Sequence, residues 1–69
     1  MLSGNMLKVL KILFEKDSSF NELKRFTRLS EKMLESVINA LQEKDYITVD
    51  GDSIKITVHG KDVIKRTQL

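Results

Sequence analysis

Sixty-nine residues, 41% hydrophobic and 32% charged, describe one globular domain spanning 1–69, close to the smallest size that holds a core without disulfides or metal. The lack of cysteine excludes a disulfide framework and thiolate metal sites, and the lack of proline argues against linkers and low-complexity tracts. The net charge of +2 is spread as basic ends around an acidic middle, where Glu31, Glu35, Glu43 and Asp45 outnumber Lys32 and Lys44; for one copy this is a poor footprint for nonspecific nucleic-acid binding, which needs many phosphate contacts.

No apolar run has the length of a membrane span. The opening MLSGNMLKVLKILFEK has neither a basic leader nor a small-residue cleavage site, so a signal peptide is not expected and a cytoplasmic protein is. Within this stretch Met6, Leu7, Leu10, Leu13 and Phe14 recur at the three- and four-residue steps of a helix with one buried face. Ser3 or Asn5 can cap it. Val9 and Ile12 fall outside that stripe, which makes the helix apolar over more than half its circumference. Contact with a second copy accounts for the excess.

A second helix starts in DSSFNELKRFT. Ser19 with Glu22 three residues on is a capping box, and Phe20, Leu23 and Phe26 form an inward face. The stretch TRLS breaks it, Ser30 caps a third helix, and Glu31 suits the positive end of that helix dipole. Leu34, Val37, Ile38 and Leu41 then give the clearest helical period in the chain, expected to run to about Lys44. Asp45 stands where glycine usually takes the left-handed C-terminal position.

The period changes from 3.6 to 2 in ITVDGDSIKITV, a hairpin with two possible registers. A turn at Asp50-Gly51 would set Val49 opposite Asp52. A turn at Gly51-Asp52 pairs Val49 with Ile54 and Ile47 with Ile56, keeps apolar partners together and places glycine first in a type II′ turn; this register is favoured. Thr57 caps a last helix with Val63 and Ile64 inward. The expected class is therefore α+β and mostly helical, a winged helix-turn-helix in the order helix-helix-helix-strand-strand-helix.

The run LSEKMLESVINALQEKDYI, with Leu34 buried, Leu41 closing the helix and Tyr46-Ile47 leading into the hairpin, resembles the small winged-helix transcriptional regulators of the MarR/ArsR/PadR kind. ITVHGKDVI is similar to their Leu-Thr-x-x-Gly-x-x-aliphatic signature, carried by Thr57, Gly60, Val63 and Ile64. The resemblance implies a DNA-binding transcriptional regulator that lays residues 31–44 in the major groove of double-stranded DNA. Carried over, the outward residues are Glu31, Lys32, Met33, Glu35, Ser36 and Asn39. Asn39 would pair with adenine, Lys32 with guanine or phosphate and Ser36 with either, while Met33 would rest on a thymine methyl. Ser19, Lys24, Arg25, Arg28, Ser30 and Lys55 are the phosphate candidates. A homodimer through the first and last helices (Met6, Val9, Ile12 and Leu13 with Val63, Ile64 and Leu69) would set two reading helices about one DNA turn apart.

The sequence departs from that pattern at four places. Glu35-Ser36 stands where relatives commonly carry Ser-Arg, Arg28 and Asp45 stand for glycines, and the hairpin tip Asp50-Gly51-Asp52 is acidic. The same fold also serves as a protein-docking module, so a complex subunit that takes a protein partner on the acidic third-helix face is the alternative. His59 has no cysteine or clustered carboxylate beside it and reads as an exposed residue near a helix start. No nucleophile–base pair, phosphate loop or metal spacing is present, so neither an enzyme nor a cofactor is expected. Lys8 and Lys11 are too small a polar face to make MLKVLKILF a membrane-surface helix.

Overall fold

In the computed structural model, which describes residues 2–68, the order is α1 (Gly4–Glu15), β1 (Ser18–Ser19), α2 (Phe20–Thr27), α3 (Glu31–Glu43), β2 (Ile47–Asp50), β3 (Ser53–Ile56) and α4 (Val58–Gln68). The class is the expected one, mostly helical with a hairpin wing, and the three strands form one antiparallel sheet in the order β1-β3-β2. The helix starts are fixed by side-chain oxygens that satisfy free amides of the first turn. Ser3 Oγ accepts from Met6 N at 3.2 Å, and Ser30 Oγ accepts from Met33 N at 3.1 Å. At Ser19 the capping box is complete: Glu22 N donates to Ser19 Oγ at 3.1 Å and Ser19 N donates to Glu22 Oε1 at 2.9 Å.

The buried face of α1 differs from the expected stripe. Met6, Val9, Leu10 and Leu13 are the buried residues, with Val9 fully enclosed, whereas Phe14 is 39% exposed. The reason is position. α1 packs against α2, α3, α4 and β3 together, so its wide apolar circumference is covered within one chain. Val9, Met6 and Leu13 were expected to face a second copy, as was Ile64; all four instead lie in the protomer's own core. That part of the expected dimer surface is corrected. Ile12 and Val63 are only partly buried, and Leu69 lies outside the described residues.

The inward face of α2 is also corrected. Phe26 is 54% exposed, and Thr27, four residues beyond the buried Leu23, takes the inward place. Burial of the Thr27 hydroxyl is tolerated because it donates to Leu23 O at 2.6 Å and accepts from Leu29 N at 3.3 Å. Arg28 then turns the chain with φ 61°, the left-handed conformation usually left to glycine.

The four-point face of α3, Leu34, Val37, Ile38 and Leu41, is buried as its spacing requires. Its C-terminus is closed by Asp45 at φ 64°, with Asp45 N donating to Gln42 O at 2.9 Å and Tyr46 N to Leu41 O at 3.0 Å, the two bonds of a Schellman motif. The hairpin adopts the favoured register, Ile47 opposite Ile56, Val49 opposite Ile54 and Asp50 opposite Ser53. Gly51 has φ 61° and Asp52 has no positive φ, which suits type II′ and rules out type I′. Ile47 and Ile54 point into the core.

β1 was not anticipated. Ser18 and Ser19 pair with Ile54 and Ser53 and so cover the second edge of β3. At the opposite end Thr57 joins three elements. Its N–H donates to Tyr46 O at 2.9 Å, its hydroxyl donates to Asp45 O at 2.7 Å, and its Oγ1 accepts from Gly60 N at 3.0 Å. Gly60 is required at this corner, because a Cβ there would collide with the Tyr46 carbonyl oxygen and stand 2.7 Å from Ile56 Cγ1. No helix of the described residues is long and apolar enough to cross a membrane.

Candidate nucleic-acid interface

With 3.6 residues per turn, the buried line through Leu34, Val37 and Leu41 leaves Lys32, Ser36 and Asn39 on the opposite, outermost side of α3. Glu31, Glu35 and Gln42 flank that line toward the wing, and Met33, 48% exposed, flanks it on the other side. The expected base-reading candidates Lys32, Met33, Glu35, Ser36 and Asn39 are thus all exposed on one helix. An open cleft of about 840 Å³ separates the wing-side flank of α3 from the start of α2 and the wing. It is lined by Glu31, Glu35 and Asn39 of α3, by Ser19, Phe20 and Asn21 at the start of α2, and by Val49, Gly51 and Asp52 of the wing.

The phosphate candidates are less uniform. Lys24 and Arg25 are exposed in the last turn of α2, and Arg28 is exposed at the turn that follows. Lys24 Nζ lies 3.8 Å from Glu31 Oε1, so one of the three cations already faces a carboxylate. Both partners are well exposed, which makes this a weak and exchangeable pair. Lys55 is exposed on β3, across the wing from Thr48. Ser30 and Ser19 use their oxygens as acceptors for their own helices, which leaves each a hydroxyl hydrogen to donate.

The helix starts differ in what they can offer an anion. At α2 the Ser19 N–H is taken by Glu22, whose carboxyl is held below its usual pKa first by that bond, then by Lys16 and Arg25. A phosphate arriving there would meet an ionised carboxylate, so α2 is not a free amide site. At α3 the Met33 amide is taken by Ser30 and Glu31 occupies the first turn.

Several residues of this surface escaped the sequence reading. Gln42 shares the wing-side flank with Glu35, seven residues and two turns away, a spacing that could have found it. Asn21 reaches the cleft only through the approach of α2 to the wing. Phe26, expected to face inward, is 54% exposed, and Val49, paired with Ile54 as expected, is nonetheless 42% exposed. His59 is exposed at the start of α4, as its surroundings suggested, with its ring edge-on to Tyr46 at 5.1 Å.

Helix–turn–helix followed by a hairpin and a closing helix defines a winged helix. No family model matches the chain, and no curated protein matches it by sequence. Among solved structures it is similar to BpsR of Bordetella bronchiseptica, a protein whose DNA binding is regulated by 6-hydroxynicotinic acid, with a TM-score of 0.91 and 17% sequence identity. The likeness covers 97% of this chain and 53% of BpsR, so the chain spans about half the length of that protein.

Proposed function

We propose that this chain is a DNA-binding transcriptional regulator domain that places α3 in the major groove of double-stranded DNA. One observation carries the reading: an exposed, polar α3 stands directly after a turn whose neighbours Lys24, Arg25 and Arg28 are exposed cations. Its likeness in fold to BpsR, whose DNA binding is regulated, supports it. In this reading Arg25 and Arg28 hold the backbone, with Lys24 exchanging Glu31 for phosphate and Ser30 and Lys55 adding lesser contacts, while Glu22 keeps phosphate from Ser19. Lys32, Met33, Ser36 and Asn39 face the bases. The wing contributes little, because its tip carries Asp50 and Asp52.

A homodimer would double the cations and place two α3 helices on successive turns of the duplex. Its interface would use what α1 and α4 leave uncovered, with Ile12, Phe14 and Val63 as the apolar part. The acidic cleft favours a second reading, in which the α3 face docks a protein partner and binds no DNA.

The two readings part in a titration of mixed-sequence duplex at two salt concentrations, run beside a solution mass measurement. With Lys24, Arg25, Arg28 and Lys55 on phosphates, log K should fall against log salt with a slope of about −3.6 per monomer and about −7 per dimer. Undetectable binding at low salt rejects the DNA reading in favour of the protein-docking one.

A further inference from the structure

Glu31 and Glu35 stand one turn apart on the same flank of α3, yet their surroundings differ. Glu31 lies in the first turn, where the helix dipole favours a negative charge, and Lys24 is 3.8 Å away. Glu35 lies beyond that turn, is exposed, and among the described residues forms no ion pair. It lines the same open cleft as Asp52 of the wing tip, and no cation lines that cleft. An uncompensated carboxylate on a surface that approaches a polyanion weakens binding to every sequence unless a base supplies a donor to it.

Resting on the DNA-binding reading above, we propose that Glu35 makes this chain select duplexes that present a cytosine amino group to α3, with Asn39 reading an adenine about two base pairs further on. An ionised carboxylate only accepts hydrogen bonds. In the major groove guanine shows two acceptors, and thymine shows an acceptor beside a methyl. Adenine shows a donor next to the acceptor N7, which repels the second carboxylate oxygen. Cytosine shows its N4 donor without an adjacent acceptor. Glu35 therefore fits one base and opposes the other three. Asn39 follows one turn later and lines the same cleft; its carboxamide carries both a donor and an acceptor, the match for adenine N7 and N6. Four helical residues advance about 6 Å, which spans about two base pairs at 3.4 Å each.

The electrostatics also orient the complex. Glu35 and Asp52 repel phosphates from the wing side, so the strand held tightly is the one beside Arg25 and Arg28. Affinity for arbitrary sequence is kept low, and the difference between a cytosine-bearing site and the rest widens.

The experiment is selection and sequencing of duplexes from a randomised pool by the full chain at low salt, with fluorescence anisotropy on the unselected pool as an independent readout. Wild type should enrich sites with cytosine and adenine about two positions apart, favouring cytosine about tenfold over any other base. Glu35→Gln should lose the cytosine preference, shift toward adenine and bind the unselected pool several-fold more tightly. Asn39→Ala should lose the preference at the adenine position only. Binding by wild type without enrichment for cytosine overturns the inference and leaves the DNA-binding reading standing, as does a Glu35→Gln selection that keeps cytosine. No binding of wild type to the unselected pool removes both. Because the wild-type selection alone tests for cytosine, the outcome does not depend on either variant folding.

Discussion

Replacing Gly60 by alanine tests the corner on which the wing and α4 are mounted. The added Cβ would collide with the Tyr46 carbonyl oxygen and press on Ile56 Cγ1 at 2.7 Å, and the first of these is backbone that no side-chain rotation can move. Two losses follow from the required shift of α4: overpacking costs about 1–3 kcal/mol, and disturbance of the Thr57 cap about 1 kcal/mol. Higher helix propensity returns at most about 1 kcal/mol. A net loss of about 2 kcal/mol lowers Tm by about 8–16 °C in a chain of this size. Gly4→Ala is the internal control. A Cβ at Gly4 meets nothing within 4 Å, so the same chemical change should stabilise by about 0.5 kcal/mol and raise Tm by a few degrees. Thermal melts followed by circular dichroism at 222 nm, with urea midpoints as a check, give both values. If Gly60→Ala melts at or above wild type, α4 does not press on the Tyr46 carbonyl, and the account of this corner is wrong.

Arg28→Gly should relieve the left-handed backbone at φ 61° and raise stability by about 1 kcal/mol. In the DNA-binding reading it should also reduce the salt slope by about 0.9 per monomer, so a gain in Tm without that reduction removes Arg28 from the backbone contacts. Thr57→Val keeps the shape but loses the bonds to Asp45 O and Gly60 N, and should cost about 1–2 kcal/mol in urea unfolding; a neutral result would show that the cap and the tie to α3 contribute nothing. Glu22 supplies a pH test. Its folded pKa lies below the ordinary 4.5 because the Ser19 N–H, then Lys16 and Arg25, favour the carboxylate. Its contribution is therefore complete above the unfolded pKa and lost as pH falls through the folded value. Between about pH 5 and pH 3 wild type should lose more stability than Glu22→Gln, and parallel acid profiles would contradict the assignment.

The helices and the wing were legible because each is specified by neighbours in sequence. Ser19 and Glu22 close a box three residues apart, and Leu34, Val37, Ile38 and Leu41 repeat within three turns. Ile47, Val49, Ile54 and Ile56 admit one register that keeps apolar partners together. The exposed side of α3 followed from the same period, so Lys32, Glu35, Ser36 and Asn39 were found as a face. Their surroundings were not. The Lys24–Glu31 pair and the cleft lined by both Glu35 and Asp52 join separate elements, and no periodicity reports such proximity.

Local rules also misplaced apolar side chains where several elements compete for one helix. Periodicity allowed either Phe26 or Thr27 on the inward side of α2, and hydrophobicity favoured Phe26. Packing took Thr27 because it is small and can return its hydroxyl to the Leu23 carbonyl. α1 looked too apolar for one chain until three helices and β3 closed around it. Two serines carry no strand signal, and Ser18–Ser19 became β1 only because β3 offered an unpaired edge beside them. Sequence alone thus determined which segments form the four helices and the wing, where the helices cap, and the wing's register, since those depend on bonds between near neighbours. Tertiary structure alone decided which side of α1 and α2 is covered, where the third strand forms and which carboxylate on α3 is left uncompensated, because each depends on contacts between segments far apart in the chain.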